Sequence, residues 1–348
     1  MNNNYNISEI AKMFNITTNK IRYYEKKGLL NPIRNEDNEY RNFNNEDIIK
    51  LQSILLYRSV GLSIKEIKDI LKNSSTSNFL NHFNNQWEIV NNEIQRLTVI
   101  RSALEKVLDN LYEEEILNAK VDIQTVIENA NNINYVKNNW SDKWNFDNWA
   151  KTYDVSVLEN RGAIKIYENY EMILEKVYKL AIENEKEDCA ILEIGVGTAN
   201  LSQKFLENNY DIVGIDQSRE MLNIAKSKYP KLKVRLGEFL KIPYGDKSFD
   251  VIVSTYAFHH LNEEEKIVAI DEMMRVLKDN GKIIIGDLMF KNKSEEEKLL
   301  DTLNEEEIYE IKDEYYSYVD ILEIHFKKFN KNLRYKKIDR FMYVIEIV

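Results

Sequence analysis

The chain of 348 residues contains one cysteine, Cys189, and has a net charge of −10. At roughly 150 residues per domain this length suggests two or three domains, and a single thiol excludes a disulfide framework or a clustered thiolate metal site within one chain. The sequence has no run of about 18 apolar residues and no N-terminal signal pattern. We therefore expect a soluble, cytoplasmic protein without a membrane partner.

The charge is distributed unevenly along the chain. Residues 1–72 contain 12 lysines and arginines against 9 aspartates and glutamates, whereas the remainder contains 36 against 49. A mildly basic head on an acidic body permits DNA binding by the head alone. An excess of three positive charges could equally be without function.

Capping signals predict short helices at the start of the chain. The capping box Asn6-Ile-Ser-Glu9 begins one helix, and Thr17 or Thr18 caps a second that ends at Gly28. Because the connection between them is short and their apolar residues share one face, we predict a helix-turn-helix.

A turn-rich segment at 31–41 follows, with two arginines beside a tyrosine, as expected of a wing. Asn44 then caps a helix to about Arg58, and Ser63-Ile-Lys-Glu66 is a capping box for a helix that ends near Lys72. Four short helices and a wing make a compact head.

This head resembles the DNA-binding domain of MerR-type transcription regulators along its whole length. The shared landmarks are Ile21-Arg-Tyr-Tyr-Glu25, Gly28-Leu-Leu30, Tyr40-Arg41 and Gly61-Leu-Ser63. The resemblance implies RNA polymerase as a partner, and the expected DNA contacts are Thr18, Lys20, Arg22, Tyr23, Arg34, Tyr40 and Arg41. Tyr24 and Glu25 could as easily pack or pair within the domain.

After the head, apolar residues recur at intervals of four and three. They are Phe83, Trp87, Val90, Ile94, Leu97, Leu104, Leu108 and Leu111, and Arg101 occupies the one polar slot. This spacing predicts a coiled-coil helix with Arg101 fixing the register, although an amphipathic helix packed on the next domain stays open. The MerR resemblance implies an antiparallel homodimer through residues 79–115 that reads a palindromic site in double-stranded DNA.

The rest of the chain alternates apolar runs with helical patterns. The predicted strands are 190–194, 211–216, 233–236, 249–253 and 282–286, and the predicted helices are 200–206, 220–228 and 263–277. This order predicts a doubly wound α/β sheet with its ligand at the carboxyl ends of the strands.

The stretch ILEIGVGTANL, which spans most of the first strand and the turn after it, lacks the third glycine of a dinucleotide fingerprint, which disfavours NAD. The acid Glu193, two residues before Gly195, suits a ligand that offers ammonium donors and no phosphate, such as S-adenosylmethionine. Asp216 ends the second strand and could accept from both ribose hydroxyls. Glu238 could accept from the adenine amino group, and Phe239 could stack on the ring.

Residues 144–348 resemble class I S-adenosylmethionine-dependent methyltransferases, and most closely small bacterial ones associated with methionine and cysteine salvage. The resemblance is carried by FDNWAKTYD, LEIGVGTANLSQKFL, IVGIDQSREMLNIAK, FDVIVSTYAFHHLNEEEK and GKIIIGDLMF, and the closing LRYKKIDRFMYVIEIV is expected to form an antiparallel edge hairpin. The expected cofactor residues are Glu193, Gly195, Gly197, Asp216, Gln217, Glu238, Phe239 and Ser254. Ala199 and Glu238 replace the usual glycine and aspartate, and because the loop holds no pyrophosphate, glycine is expected to be less necessary at position 199.

Methyl transfer is an in-line displacement, so holding the acceptor and methyl group in line supplies most of the rate. By family analogy the candidate catalytic residues are Tyr153, in an expected lid helix, and His259 or His260 after the fourth strand. The histidines could act as a base for a hydroxyl or thiol acceptor, or form a polar turn that shapes the pocket. An adjacent histidine pair without another obvious ligand makes zinc improbable, and no metal is expected.

We therefore expect a multidomain chain. An all-α winged helix-turn-helix head at 1–75 precedes a dimerisation helix at 76–118, a semi-flexible linker at 119–142 and a Rossmann-like α/β methyltransferase domain at 143–348. The expected function is a MerR-type regulator whose second domain methylates a small molecule or serves as effector sensor. The alternatives are a small-molecule methyltransferase with an autoregulatory head, and a non-catalytic sensor of S-adenosylmethionine or S-adenosylhomocysteine.

Overall fold

The computed structural model describes residues 5–34, 39–73, 79–113, 116–186 and 188–348. The chain divides into two compact units, Met1–Thr98 and Val99–Val348. Each unit has its own buried apolar core.

The first unit begins with four short helices and a small sheet. They are α1 (Ile7–Met13), α2 (Thr18–Lys26), β1 (Ile33–Arg34), β2 (Arg41–Asn42), α3 (Asn45–Ser59) and α4 (Ile64–Asn73), with β1 and β2 antiparallel. Asn6 and Asn44 form reciprocal capping boxes, Thr17 caps α2, and Ser63 exchanges hydrogen bonds with Glu66. These caps satisfy N–H groups that a helix leaves unpaired at its start. The predicted helix starts are confirmed.

Tyr24 packs in the core of this unit, and the partly exposed Glu25 pairs with two arginines. The ring of Tyr24 is 2% exposed. The Glu25 carboxylate accepts hydrogen bonds from Arg34, at 3.1 Å, and from Arg41, at 2.7 Å, so it ties both strands of the small sheet to α2. Tyr24 thus packs and Glu25 pairs within the unit, and a DNA contact by either residue stays a prediction.

Two long helices follow, α5 (Phe79–Glu113) and α6 (Ile116–Asn139). The boundary between the units falls inside α5. The helix α6 replaces the predicted semi-flexible linker, and its last turns pack on α12 (Glu263–Val276). Lys137 Nζ lies 3.0 Å from Glu272 Oε1, with both side chains at most 6% exposed. Because this buried ion pair forms across more than a hundred residues, the local asparagine-rich composition gave no sign of it.

The second unit is built on an eight-stranded sheet. Seven strands follow the order β5-β4-β3-β6-β7-β10-β9, and the eighth, β8, pairs with β7. The strands are β3 (Ile191–Ile194), β4 (Ile212–Asp216), β5 (Lys233–Leu236), β6 (Phe249–Thr255), β7 (Leu277–Phe290), β8 (Ser317–Tyr318), β9 (Leu333–Lys337) and β10 (Met342–Ile347). The strands β3 to β7 pair in parallel, and β9 and β10 form the antiparallel hairpin that was predicted. Since β3 lies between β4 and β6, the order reverses there, and a ligand crevice is expected at its carboxyl end.

Helices cover both faces of this sheet. They are α7 (Phe146–Trp149), α8 (Tyr153–Glu159), α9 (Tyr170–Ile182), α10 (Asn200–Glu207), α11 (Arg219–Lys228), α12, α13 (Lys293–Leu300), α14 (Glu305–Asp313) and α15 (Val319–Lys327), and a 3₁₀ turn spans Phe258–His260. One core cluster joins the sheet to α9, α10 and α11, and another joins it to α6, α12 and α15. The doubly wound α/β architecture is confirmed. Among the described helices, none has the length and apolar character that crossing a bilayer requires.

Candidate active site

The turn after β3 contains two glycines with positive φ angles, Gly195 and Gly197. Gly195 has a φ of +72°, and a Cβ there would lie 2.5 Å from the Cβ of Ala257. The N–H groups of Gly195 and Val196 donate to the Ile215 carbonyl, at 2.9 and 3.0 Å, which ties the turn to β4. Gly197, whose φ is +51°, lines a cavity at the carboxyl end of β3, and a Cβ at this position would meet open space. The backbone itself therefore forms this wall of the cavity.

Ala199 is the N-cap of α10 and has a φ of +71° and a ψ of 32°. This left-handed conformation costs an L-residue roughly 1–2 kcal/mol. The expectation that glycine is less necessary at this position is therefore wrong for the backbone, because the turn requires a positive φ whichever ligand it serves. The methyl group of alanine is fully buried in the core, which offsets part of that cost.

Asp216, at the end of β4, faces the same cavity. Its carboxylate accepts hydrogen bonds from the N–H groups of Gly197 and Ser218, both at 2.8 Å. Burial raises the pKa of Asp216 to about 6, although these two hydrogen bonds oppose the rise. Beside it, the Gln217 Oε1 atom is buried and accepts no hydrogen bond from any described group. A polar ligand with hydroxyl or amino donors fits these two acceptors.

The complete cavity wall includes most of the expected cofactor residues. It is lined by Trp140, Phe146, Trp149, Tyr153, Ile194, Gly195, Gly197, Asp216, Gln217, Met221, Gly237, Glu238, Phe239, Thr255, Tyr256, Ala257, His260 and Leu261. The sequence did not reveal Trp140, Trp149 or Tyr256 as members. Tyr256 has a φ of +52°, which is an uncommon conformation for a large side chain. Trp140 lies directly after α6, in the segment that was predicted to be a linker.

Two expected cofactor residues, Glu193 and Ser254, are absent from this wall. Glu193 is 1% exposed and its carboxyl group accepts a hydrogen bond from the Ser202 hydroxyl of α10. The Ser254 hydroxyl donates to the Ile194 carbonyl, at 2.8 Å, inside the sheet. Side chains alternate along a strand, and the pleat of β3 turns Glu193 under the helix layer. Glu193 thus contacts Ser202 rather than the cavity wall, and its role toward the ammonium of a ligand stays a prediction.

The interior position of Glu193 predicts a dependence of stability on pH. Burial raises the pKa of Glu193 to about 8 from an ordinary value of 4.5, with the nearby Asp216 adding to the rise and Ser202 opposing it. Between those values the folded chain binds one proton more than the unfolded chain, so the contribution of Glu193 to stability is present below pH 4.5 and lost as the pH rises through 8. Glu193→Gln removes this loss. In chemical denaturation, the variant should gain on the wild type by roughly 2–4 kcal/mol between pH 5 and pH 8.

The matched control is Glu207→Gln, which changes an exposed carboxylate on α10 that accepts from Gln203. Its unfolding free energy should follow the wild-type pH profile. Parallel pH profiles for Glu193→Gln and the wild type would contradict the assigned titration.

The short helices α7 and α8 contribute Phe146, Trp149 and Tyr153 to the wall of this cavity. Tyr153 begins α8, and its ring packs edge-on against Trp149 with centroids 5.1 Å apart. The neighbouring Asp154 carboxylate accepts hydrogen bonds from the Thr198 hydroxyl, at 2.6 Å, and from Asn200 Nδ2, at 3.1 Å. Tyr153 thus borders the cavity, while Asp154 ties α8 to the start of α10.

His259 pairs with an acid of the sheet. Its Nδ1 atom lies 2.5 Å from Oδ1 of Asp287, a fully buried residue of β7 that also accepts from the Phe258 N–H, at 2.6 Å. Burial alone would lower the pKa of His259, but the charge and hydrogen bond of Asp287 raise that pKa above its ordinary value of 6.5. Asp287 thus holds the ring of His259 through its Nδ1 atom.

His260 has the opposite electrostatic character. Burial, assisted by the neighbouring His259, lowers the pKa of His260 to about 4, although Glu314 opposes the change. Its Nδ1 atom lies 3.2 Å from Glu314 Oε2, so a neutral His260 places its proton on Nδ1 and leaves Nε2 as an acceptor. Two adjacent histidines whose pKa values move apart are suited to different roles.

A second cavity, of about 430 Å³, lies beyond His260, and Trp149 and His260 border both cavities. Its other lining residues are Ser156, Glu159, Asn160, Arg161, Gly162, Ile164, Ile166, Tyr167, His259, Leu288, Tyr309, Glu310, Asp313, Glu314 and Tyr316. His260 is thus the candidate catalytic residue placed between a cofactor cavity and a neighbouring space. His259 borders the second cavity alone.

Glu314 adds a possible metal ligand that the sequence did not reveal. One ligand atom each from His259, His260 and Glu314 lies within 4.8 Å of the others. Both Nδ1 atoms, however, are engaged by carboxylates. The absence of a metal stays a prediction.

In the first unit, the predicted DNA-contacting residues are all at least partly accessible to solvent. Lys20, Arg22, Tyr23, Arg34 and Tyr40 are exposed, and Thr18 and Arg41 are partly exposed. A groove beside α2 is lined by Lys20, Tyr23, Tyr24, Leu55, Arg58, Ser59, Ser63 and Ile64. Arg58, the last basic residue of α3, brings a second cation to the groove that Lys20 borders, and no pattern in the sequence indicated it.

The apolar heptad positions of α5 are largely uncovered in the single chain. Ile94, Leu97, Leu104 and Leu108 are between 50% and 57% exposed, while the side chain of Leu111 lies outside the described residues. The seam residue Arg101 forms an ion pair with Asp246, at 3.0 Å, within the second unit. This intrachain pair gives Arg101 a different role from the predicted one, which was to fix the register of a coiled coil.

Two family models match the chain. Residues 192–285 match a methyltransferase domain, and residues 5–74 match a MerR HTH family regulatory protein. An uncharacterized methyltransferase of Alkaliphilus oremlandii is 36% identical over 205 residues, which cover 58% of this chain and 94% of that protein. Another, from Oceanobacillus iheyensis, is 34% identical over 205 residues, covering 58% of this chain and 93% of that protein.

Solved structures with a similar fold include a magnesium protoporphyrin IX methyltransferase from Synechocystis with bound SAH. It has a TM-score of 0.47 and 12% identity, and the match covers 60% of this chain and 99% of that chain. The DhpI-SAM-HEP complex has a TM-score of 0.45 and 10% identity, covering 58% of this chain and 94% of that chain.

Proposed function

Because the chain belongs to the methyltransferases and carries a MerR-type helix-turn-helix segment before that domain, we propose that it is a DNA-binding regulator that methylates a small molecule with S-adenosylmethionine. The observation that carries the proposal is the cavity at the carboxyl ends of β3, β4 and β6. Its wall contains six of the eight expected cofactor residues, and it adjoins a second cavity through His260.

The acceptors at the end of β4 suit the nucleoside part of the cofactor. The Asp216 carboxylate is suited to the ribose hydroxyls and the unsatisfied Gln217 Oε1 to a further donor. Phe239 offers an aromatic face in the same wall. When bound, S-adenosylmethionine supplies a methyl group on a sulfonium, which makes a nucleophilic residue unnecessary.

The protein's contribution to the reaction is positioning and removal of a proton. The lid residues Trp149 and Tyr153 close over the cavity and exclude water. His260 Nε2 accepts the proton of a hydroxyl or thiol acceptor, while Glu314 holds the ring through Nδ1. His259, paired with Asp287 through Nδ1, lies beside it.

Calorimetric titration with S-adenosylmethionine and S-adenosylhomocysteine tests the cofactor assignment. Wild-type protein should bind both, and Asp216→Asn should weaken both at least about 10-fold, because a hydrogen bond to a charged acceptor is worth about 1.5–3 kcal/mol. Asp211→Asn, which changes an exposed aspartate paired with Lys233, is the control and should retain wild-type affinity. If the wild-type protein binds neither compound, every cofactor-based function proposed here is wrong.

The uncovered heptad positions of α5 support a homodimer through residues 79–115. A row of half-exposed leucines and isoleucines on one helix is typical of a surface that a second helix covers. Two copies of the head would then read the two halves of a palindromic site in double-stranded DNA. RNA polymerase as a further partner rests on the family resemblance alone.

A regulator, an enzyme with an autoregulatory head and a non-catalytic sensor differ in coupling and turnover. In a regulator, cofactor binding changes DNA affinity, and DNA then changes cofactor affinity by the same factor. Equal affinities in both directions favour an enzyme that the head merely localises. Binding and coupling without release of S-adenosylhomocysteine favour the sensor.

A further inference from the structure

The second cavity has an acidic rim formed by Glu310, Asp313 and Glu314. Glu310 and Asp313 lie in the last turn of α14, and Glu314 follows directly. Residues three and four apart share one face of a helix. The carboxyl end of a helix is itself a negative pole, which favours cations.

The cations near this rim leave it negatively charged. The cavity's one arginine among the described residues, Arg161, is paired with Glu159 at 2.6 Å. Glu310 accepts instead from the backbone N–H groups of Ala163 and Ile164, at 2.7 and 3.1 Å. Glu314 Oε2 accepts a hydrogen bond from His260 Nδ1, at 3.2 Å. The rim therefore repels carboxylates and phosphates and attracts cations.

A lysine of the chain already occupies the outer edge of this environment. Lys143 Nζ lies 3.8 Å from the Asp313 carboxylate and donates to the Asp313 carbonyl at 3.2 Å. The same ammonium lies 5.1 Å from the ring centroids of Trp144 and Tyr315. The combination of an acid, a helix end and aromatic faces thus accommodates an alkylammonium group.

The wall of the second cavity is partly aromatic and partly apolar. Four aromatic residues line it, namely Trp149, Tyr167, Tyr309 and Tyr316. Tyr316 is 8% exposed, and its hydroxyl has no hydrogen-bond partner among the described groups. Ile164, Ile166 and Leu288 supply apolar surface in the same wall. The cavity is therefore suited to a short amphipathic molecule with one cationic end.

We propose that the second cavity binds a methyl acceptor that carries a protonated amine, with its ammonium against Glu310 and Asp313 and its nucleophilic hydroxyl or thiol at His260. This rests on the proposed methyltransferase function. The acceptor oxygen or sulfur gains the methyl group as the carbon–sulfur bond of the sulfonium breaks. The acceptor proton passes to His260 Nε2, and S-adenosylhomocysteine is released as a neutral thioether.

The test compares matched probes on the full-length chain saturated with S-adenosylhomocysteine. Calorimetry measures the affinity for tyramine, for 4-ethylphenol and for 3-(4-hydroxyphenyl)propionate, which differ at the end remote from the phenol. Cysteamine and 3-mercaptopropionate form a shorter thiol pair. The ammonium member of each set should bind at least about 10-fold more tightly than the carboxylate member, as cation–π contact and two carboxylates predict.

Variants of the rim then test where the preference arises. Asp313→Asn and Glu310→Gln should each reduce the preference for ammonium over carboxylate about 3-fold or more. Asp301→Asn, at an exposed aspartate outside both cavities, should leave the preference unchanged. Glu310→Gln also alters the hydrogen bonds to residues 163 and 164, so the exposed Asp313→Asn provides the independent measurement.

The possible failures are distinguishable. If S-adenosylhomocysteine does not bind, the proposed function fails. If it binds, and the ammonium probes either do not bind or bind no better than the carboxylates, the inferred acceptor class is wrong. A preference that survives in both rim variants also overturns the proposal.

Discussion

Replacing His260 by glutamine is expected to lower kcat by about 10² to 10⁴-fold, the usual contribution of a positioned proton acceptor. Glutamine has a similar length and can hydrogen-bond to Glu314, but it cannot take up a proton at neutral pH. The KM for the cofactor should change far less, because His260 is one of many residues in the cofactor wall. Release of S-adenosylhomocysteine with tyramine or cysteamine as the acceptor measures the effect.

The expected pH profile follows from the environment of His260. Since burial lowers the pKa of His260 to about 4, its Nε2 atom remains unprotonated through the neutral range, and kcat should lose this contribution only as the pH falls through about 4. His325→Gln, at a histidine of α15 outside both cavities, is the matched control. Wild-type turnover in His260→Gln would assign proton removal to another group or to solvent.

The second large effect is expected from paired glutamates in the heptad row of α5. Leu97→Glu combined with Leu104→Glu places four charges in the interface of a dimer. Because each buried leucine stabilises by about 1.5–3 kcal/mol and each buried charge costs more, the dimer dissociation constant should rise at least about 10³-fold. Sedimentation equilibrium measures this change. Affinity for duplex DNA selected by the wild-type chain should fall about 10²-fold or more, because two linked heads become one.

Two comparisons separate association from other effects. Leu158→Glu changes a leucine of α8 that is 84% exposed, and it should leave the oligomeric state unchanged. Arg22→Ala should weaken DNA binding and its salt dependence while the dimer persists. A dimer that survives in the Leu97→Glu, Leu104→Glu chain would instead favour α5 as a helix whose apolar row serves another contact.

The features predicted well from the sequence are those fixed by near neighbours along the chain. The helix starts at Asn6, Thr17, Asn44 and Ser63 depend on side chains two or three residues away. The strands of the second unit were recognised from short apolar runs, because a parallel strand buried on both faces is apolar throughout. The carboxyl-end position of the candidate site then followed from the alternation of strands and helices.

The features that were missed depend on distant parts of the chain. Glu314 reaches His260 across 54 residues, and no local pattern marks an acid at the end of α14 as its partner. The position of Glu193 depended on which face of β3 meets α10. Ala199 has a left-handed backbone conformation, although a sequence usually indicates that conformation by a glycine.

The last turns of α6 have a consequence for dividing this chain into fragments. A catalytic fragment that began at residue 143, where the recognisable methyltransferase sequence starts, would lack Trp140 of the cofactor wall and Lys137, the buried partner of Glu272. Such a fragment would expose the apolar surface that Val136 covers, and it would open the side of the cavity that Trp140 lines. The segment before the recognisable domain is therefore structural material of the enzyme, and an autonomous fragment should include α6 from residue 116.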